Sequence, residues 1–277
     1  MGQDKKQLTK LLDFVKEIYD HPDNKEFAAG IQSMVLKDIR DEEKEVWTAQ
    51  ISEIYEYCLR KNLRDQAEDL YKSFPVKGID DQLVNYFIEM EDARRKNDFD
   101  SFGLFLYLQI ELVVDTLIKD SELPAIFDGI RKLPPFIKFD YVSKTTVRVA
   151  DSKFNTVEEY LVFKEKNYGK PLASLPALDR ARVAFYIVCS LASVERFPRD
   201  TVFSEWMETL SGIYNVRCHD AHSGANVTEK QEWYYDMLVA DKTMNYLRFM
   251  ALLLAFLKCI SENYPYPESL KKLAGLA

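Results

Sequence analysis

The sequence predicts a mainly α protein, a helical bundle. Three observations carry that prediction. Apolar residues recur at helical spacing through most of the 277-residue chain. Only 9 Gly and 10 Pro interrupt them, which favours long regular elements. The apolar fraction of 47% and aromatic fraction of 13% are those of a chain that buries a core rather than a disordered one.

The N-terminal region, residues 1–78, reads as a helical extension. Lys5–Tyr19 places Leu8, Leu11, Leu12, Val15 and Ile18 on one face, and Asp20–Asp23 is a turn cluster. Helices are predicted over Lys25–Ile39, Glu43–Lys61 and Asp65–Phe74. The Pro, Gly and Asp residues of Pro75–Asp81 mark a soft boundary, and residues 79–277 follow as the bundle.

The bundle opens with a helix over 81–97 that ends in Arg94, Arg95 and Lys96, cations that suit a helix C-terminus. Asp98 and Asp100 are candidate caps for the next helix, Phe99–Lys119, which is apolar nearly all round. Its polar exceptions Tyr107, Glu111 and Asp115 are spaced by four and share a face. Two readings stand for that face: an edge stripe turned to water, or a buried carboxylate such as Glu111 that needs a partner, for which the site arginine is a candidate. Residues 121–175 carry Pro124, Pro134, Pro135 and Pro171 and read as an insertion. Within it Phe136–Val142 and Thr145–Ala150, rich in β-branched and aromatic residues, are set to pair as a small hairpin. Thr156 with Glu159 forms a capping-box pattern. Helices resume over Leu178–Phe197 and Thr201–Tyr214. A second capping box, Thr228 with Gln231, opens Glu229–Asn263, with a break expected near Ala240–Lys242.

Four scattered cysteines, Cys58, Cys189, Cys218 and Cys259, have no paired spacing and read as reduced thiols of a cytoplasmic protein. The polar start, Met1–Lys10, lacks the apolar region of a signal peptide. The apolar runs Phe102–Ile118 and Phe249–Ile260 are interrupted or short, so no membrane span is expected. A net charge of −8 argues against a general nucleic-acid binder, because phosphate affinity comes from Lys and Arg. No Gly-rich phosphate loop or dinucleotide fingerprint appears. No cofactor and no metal ion are expected, since His219, Asp220 and His222 lack the further ligands that a zinc site needs.

The most informative stretch is Val216–Gly224. It holds two of the chain's 3 histidines and places four residues between Arg217 and His222. Arginine offers a planar fork for phosphate, and histidine exchanges protons near neutral pH. Arg217, Ala221, His222 and Gly224 resemble the Arg-x4–6-His motif of the HEPN superfamily, with Cys218 at the position where a polar residue is usual. The resemblance covers roughly residues 85–265 and rests, outside the motif, on helical layout. It implies a metal-independent endoribonuclease. The RNA 2′-hydroxyl attacks the adjacent phosphate, His222 moves protons, and Arg217 offsets developing charge. It also implies a homodimer with two motifs facing across a twofold axis, single-stranded RNA as substrate, and a place in toxin or antiviral defence. His219, Glu111 and Arg95 are expected to shape the site or touch substrate, with Glu91 to Arg95 as an acidic–basic pair. Arg217 is the only Lys or Arg between Asp200 and Glu229, so an RNA-cutting site needs cations from elsewhere. The alternative is a non-catalytic helical module that holds a protein or nucleotide partner.

Overall fold

The computed structural model describes residues 41–140, 145–148, 153–191, 200–222 and 229–276. It is mainly helical, and its compact units span residues 1–66 and 67–277. The helices expected over 25–39 and before lie outside the described residues. Those expected over 43–61 and 65–74 are one helix, α1, Asp41–Tyr71. No Gly or Pro separates them, and Gln66 Nε2 donates to Asn62 Oδ1 at 2.6 Å across the expected gap.

The second unit is built around α3, Phe99–Asp120. Asp98 caps it, its Oδ1 accepting from Ser101 N–H at 3.0 Å. The helix packs against α2 (Asp80–Arg95), α6 (Ala177–Phe185), α7 (Asp200–His222) and α9 (Lys242–Asn263). Leu106, Ile110 and Val113 are fully buried, each contributing about 1.5–3 kcal/mol of transfer free energy. Gln109, an interruption in sequence, is also fully buried. Its Oε1 accepts from Tyr71 Oη at 2.5 Å and its Nε2 donates to Phe105 C=O at 3.1 Å, so the buried amide is satisfied.

The segment expected as an insertion begins inside the core. Helix α4, Leu123–Ile130, buries Leu123, Ile126, Phe127 and Ile130. Pro124 stands in its first turn, where no intrahelical N–H is needed, so the proline opens a helix rather than breaking one. Strands β1 (Phe136–Asp140) and β2 (Thr145–Arg148) pair antiparallel as the expected hairpin. Thr156 caps α5 (Val157–Leu161), accepting from Glu159 N–H at 3.1 Å. The reciprocal arm lands one residue early: Glu159 Oε2 accepts from Asn155 N–H at 2.7 Å.

Helix α6 passes into a π-helical turn, Tyr186–Leu191, so the helix expected over 178–197 is α-helical only in its first half among the described residues. Helix α8, Glu229–Ala240, and α9 are separated at Asp241, within the expected break. A short helix α10, Glu268–Leu273, follows. Helices α3 and α9 are long and apolar enough to cross a membrane by length and composition alone. Core neighbours bury half of the apolar stretch of α3; α9 buries Phe249, Leu253 and Phe256 on one face and leaves another open.

Candidate functional site

Helix α7 does not stop at Tyr214, where the sequence expectation ends it; it continues through the motif to His222. Nothing between Asn215 and His222 breaks a helix, and the first glycine comes at 224. Arg217 and His222 therefore share the last turns of one helix. At 3.6 residues per turn a step of five rotates the backbone by about 140°. His222 is the final helical residue, and its side chain lies outside the described residues.

The Arg217 side is set by how α7 crosses α3. Gly103 allows the approach: a Cβ there would meet Val216 Cγ1 at 2.4 Å. Helical side chains lean toward the helix N-terminus, so Arg217 reaches back along α7 to Tyr107 and Glu111, one and two turns beyond Gly103 on α3. Its guanidinium carbon lies 5.4 Å from the Tyr107 ring centre and 5.9 Å from that of Tyr214. The two rings meet edge to face at 5.4 Å. Its Nη2 comes 3.6 Å from Glu111 Oε2, an ionic approach longer than a hydrogen bond. Glu111 is shared, since Arg180 Nη2 lies 3.7 Å away; Arg180 also pairs with Asp115 at 2.9 Å. Two guanidinium and two carboxylate groups thus form one neutral cluster.

The stripe Tyr107, Glu111, Asp115 runs from core to rim. Tyr107 is buried, Glu111 partly so, and Asp115 exposed. Asp115 faces water as an edge stripe does, while Glu111, partly exposed rather than buried, comes near the site arginine. Burial pushes the Tyr107 hydroxyl far above its ordinary pKa, with Glu111 adding to the rise and Arg217 opposing it. Among the described residues that hydroxyl has no hydrogen-bond partner. Burial and contact with Cys218 push Tyr214 up to about 12. For Arg217 burial acts to lower the pKa, but Cys218 and Glu111 outweigh it and hold the guanidinium above its ordinary value.

His219 is placed away from this cluster. Its ring stacks on Tyr235 of α8 at 3.5 Å and 3°, and Tyr235 Oη donates to Asp100 Oδ1 at 2.5 Å. The chain His219–Tyr235–Asp100 thus ties the motif helix to α8 and to the start of α3. Arg95 is exposed at the end of α2, and the expected pairing of Glu91 goes to Arg94 instead, at 2.7 Å. The i,i+3 step brings Arg94 over Glu91, where Nε donates to Oε1 and Nη2 to Oε2 as a bidentate fork. Cys218 is half-buried.

Sequence reasoning missed Arg180, which sits 37 positions from Arg217 and carries no local signal. It also missed Tyr214, although that residue lies three before Arg217 and so on the same helical face. No protein-family model matches the chain, and no curated protein or solved structure matches it.

Proposed function

We propose that this protein is a metal-independent endoribonuclease of HEPN type, acting as a homodimer on single-stranded RNA. One observation supports the reading above the others. Arg217 is held over two tyrosine rings at the α3–α7 crossing, with its carboxylate partner beyond hydrogen-bond distance and, beneath it, the buried Tyr107 hydroxyl, which has no hydrogen-bond partner among the described residues. Glu111 and Cys218 hold the guanidinium in place at the crossing, and a positioned guanidinium is what a phosphate oxygen needs from a preorganised site.

In the reaction the 2′-oxygen bonds to phosphorus and the bond from phosphorus to the 5′-oxygen breaks. The products are a 2′,3′-cyclic phosphate and a 5′-hydroxyl. His222 exchanges the proton, and Arg217 offsets the charge on the phosphoryl oxygens. A second subunit contributes a second Arg217 and His222, which the sparse cations of the motif region call for.

The test is a labelled single-stranded RNA panel in excess chelator, with wild type, Arg217→Ala and His222→Ala, and circular dichroism as the fold check. Wild type is expected to cleave. His222→Ala is expected to lose about 10²–10⁴-fold in rate, and Arg217→Ala about 10²–10³-fold. Mutants that cleave as well as wild type overturn the assignment. A second reading, a non-catalytic helical interaction module, draws on the charge balance of the cluster: Glu111 and Asp115 already offset Arg217 and Arg180. Absence of cleavage by folded wild-type protein selects it.

A further inference from the structure

The core face of α9 carries Tyr246, Phe249, Leu253 and Phe256, as a bundle helix should. Its opposite face is expected to be polar and is not. Met244, Leu247, Ala251 and Leu254 all point outward, with Leu247 64% exposed. Their steps are three, four and three, the 3.5-residue period of a coiled-coil seam. On α8, beyond the break at Asp241, Met237 and Trp233 are exposed as well, the latter 66%. Monomeric proteins rarely leave so continuous an apolar patch in water.

We infer that this seam is a twofold interface in which α9 of one copy packs antiparallel against α9 of a second copy. Charge selects both the occupant and the direction. The seam ends in the exposed cation Lys258, and its other end begins at the exposed carboxylate of Asp241. An antiparallel pairing about an axis near Ala251 sets Lys258 against the Asp241–Met244 turn of the other copy, and does so twice. A parallel pairing sets Lys258 against itself. Asp241 makes no side-chain cap on α9 and so keeps its charge for a partner. Among the described residues Lys258 has a loose approach of 3.7 Å to Glu262, with both side chains largely in water. Ala251 at the centre lets two helices approach closely, with leucines on either side of it. The inference stands on the α9 surface alone; the seam faces away from α3 and α7, so this twofold is a rival of the motif-to-motif pairing proposed above, and loss of the dimer on the leucine substitutions decides for the seam.

Sedimentation velocity on the full chain tests it. Wild type is expected to be dimeric at tens of micromolar. Leu247→Glu/Leu254→Glu is expected to be monomeric with an unchanged helical spectrum. Lys258→Glu is expected to weaken the dimer by about tenfold, because two symmetric pairs are lost. Lys258→Glu/Asp241→Lys is expected to restore it. That rescue decides the matter if the leucine double variant fails to fold. A monomeric wild type, a dimer indifferent to the leucine substitutions, or a charge swap that fails to rescue overturns the proposal. So does a monomer that floats with anionic or neutral phospholipid vesicles, which assigns the seam to a membrane.

Discussion

Gly103 of α3 lies directly against Val216 of α7: a Cβ on the glycine would fall 2.4 Å from Val216 Cγ1 and 2.9 Å from its Cβ. The absence of one side chain therefore sets how closely the two central helices cross. It also sets where Arg217, the next residue, enters the space above Tyr107 and Glu111.

Gly103→Ala is expected to destabilise the protein by about 1–3 kcal/mol, the usual cost of overpacking a tight site. Backbone freedom does not enter, because Gly103 sits in ordinary helical conformation and Ala favours helix more than Gly does. The whole loss comes from the collision with Val216. Thermal melting checks this, and Val216→Ala in the same chain is expected to restore part of the loss by removing Cγ1. Strict additivity of the two substitutions would refute a direct contact.

Tyr186→Phe is expected to cost about 1–3 kcal/mol. The Tyr186 hydroxyl accepts from Phe136 N–H at 3.0 Å and donates to the Phe136 carbonyl, so one side chain pins the start of β1 to the π-helical turn. Both partners are buried, and phenylalanine leaves two backbone groups without a partner. Denaturant titration measures the loss. Faster hydrogen exchange at Phe136 N–H distinguishes loss of this bond from a general loosening.

Much of the bundle was legible from local signals. Asp98 caps α3, Thr156 caps α5, and the break between α8 and α9 falls within Ala240–Lys242, because capping and turn chemistry act within a few residues. The stripe Tyr107, Glu111, Asp115 was legible as a face but not as a gradient. Each step of four overshoots a full turn by about 40°, so three such residues drift from core to rim. The extent of α7 was misread because Asn215, Cys218 and His219 are indifferent helix formers with no stop among them. Arg180 and the Tyr235 platform for His219 depend on which helices neighbour one another, and no local pattern encodes that.

Asp179 gives the protein a pH dependence of known sign. Its carboxyl is buried, which raises its pKa; the Phe163 N–H at 3.4 Å and the charge of Arg182 oppose the rise without cancelling it. The ionised form is thus disfavoured by folding. Between an ordinary Asp value of about 3.9 and the raised native value, the folded chain keeps a proton that the unfolded chain has lost. This group's contribution to stability falls as pH rises through that window, and the cost is constant above it. Asp179→Asn keeps an acceptor for Phe163 and removes the charge. The variant is expected to be more stable than wild type at neutral pH, with the gap closing as pH falls through the window. Denaturation midpoints over a pH series measure it, and a gap that widens on acidification rejects the account.

Glu111→Gln separates the two functional readings. The carboxylate stands 3.6 Å from Arg217 and 3.7 Å from Arg180, and with Asp115 it makes the cluster neutral. Glutamine keeps the shape and leaves one net positive charge. Stability is expected to fall by no more than about 1 kcal/mol, because the pair is partly open to solvent and screened. If Arg217 meets a phosphate, the freed guanidinium binds single-stranded RNA more tightly, and affinity falls more steeply with salt. Each added phosphate contact on a single strand contributes a slope of about −0.7 in log K against log salt. Arg217→Gln in the same background is expected to abolish both changes. Fluorescence anisotropy with labelled RNA across a salt series, alongside melting curves, reads both effects. An RNA affinity untouched by Glu111→Gln, with only the melting temperature lowered, marks Arg217 as a brace between α3 and α7 and removes it from any nuclease site.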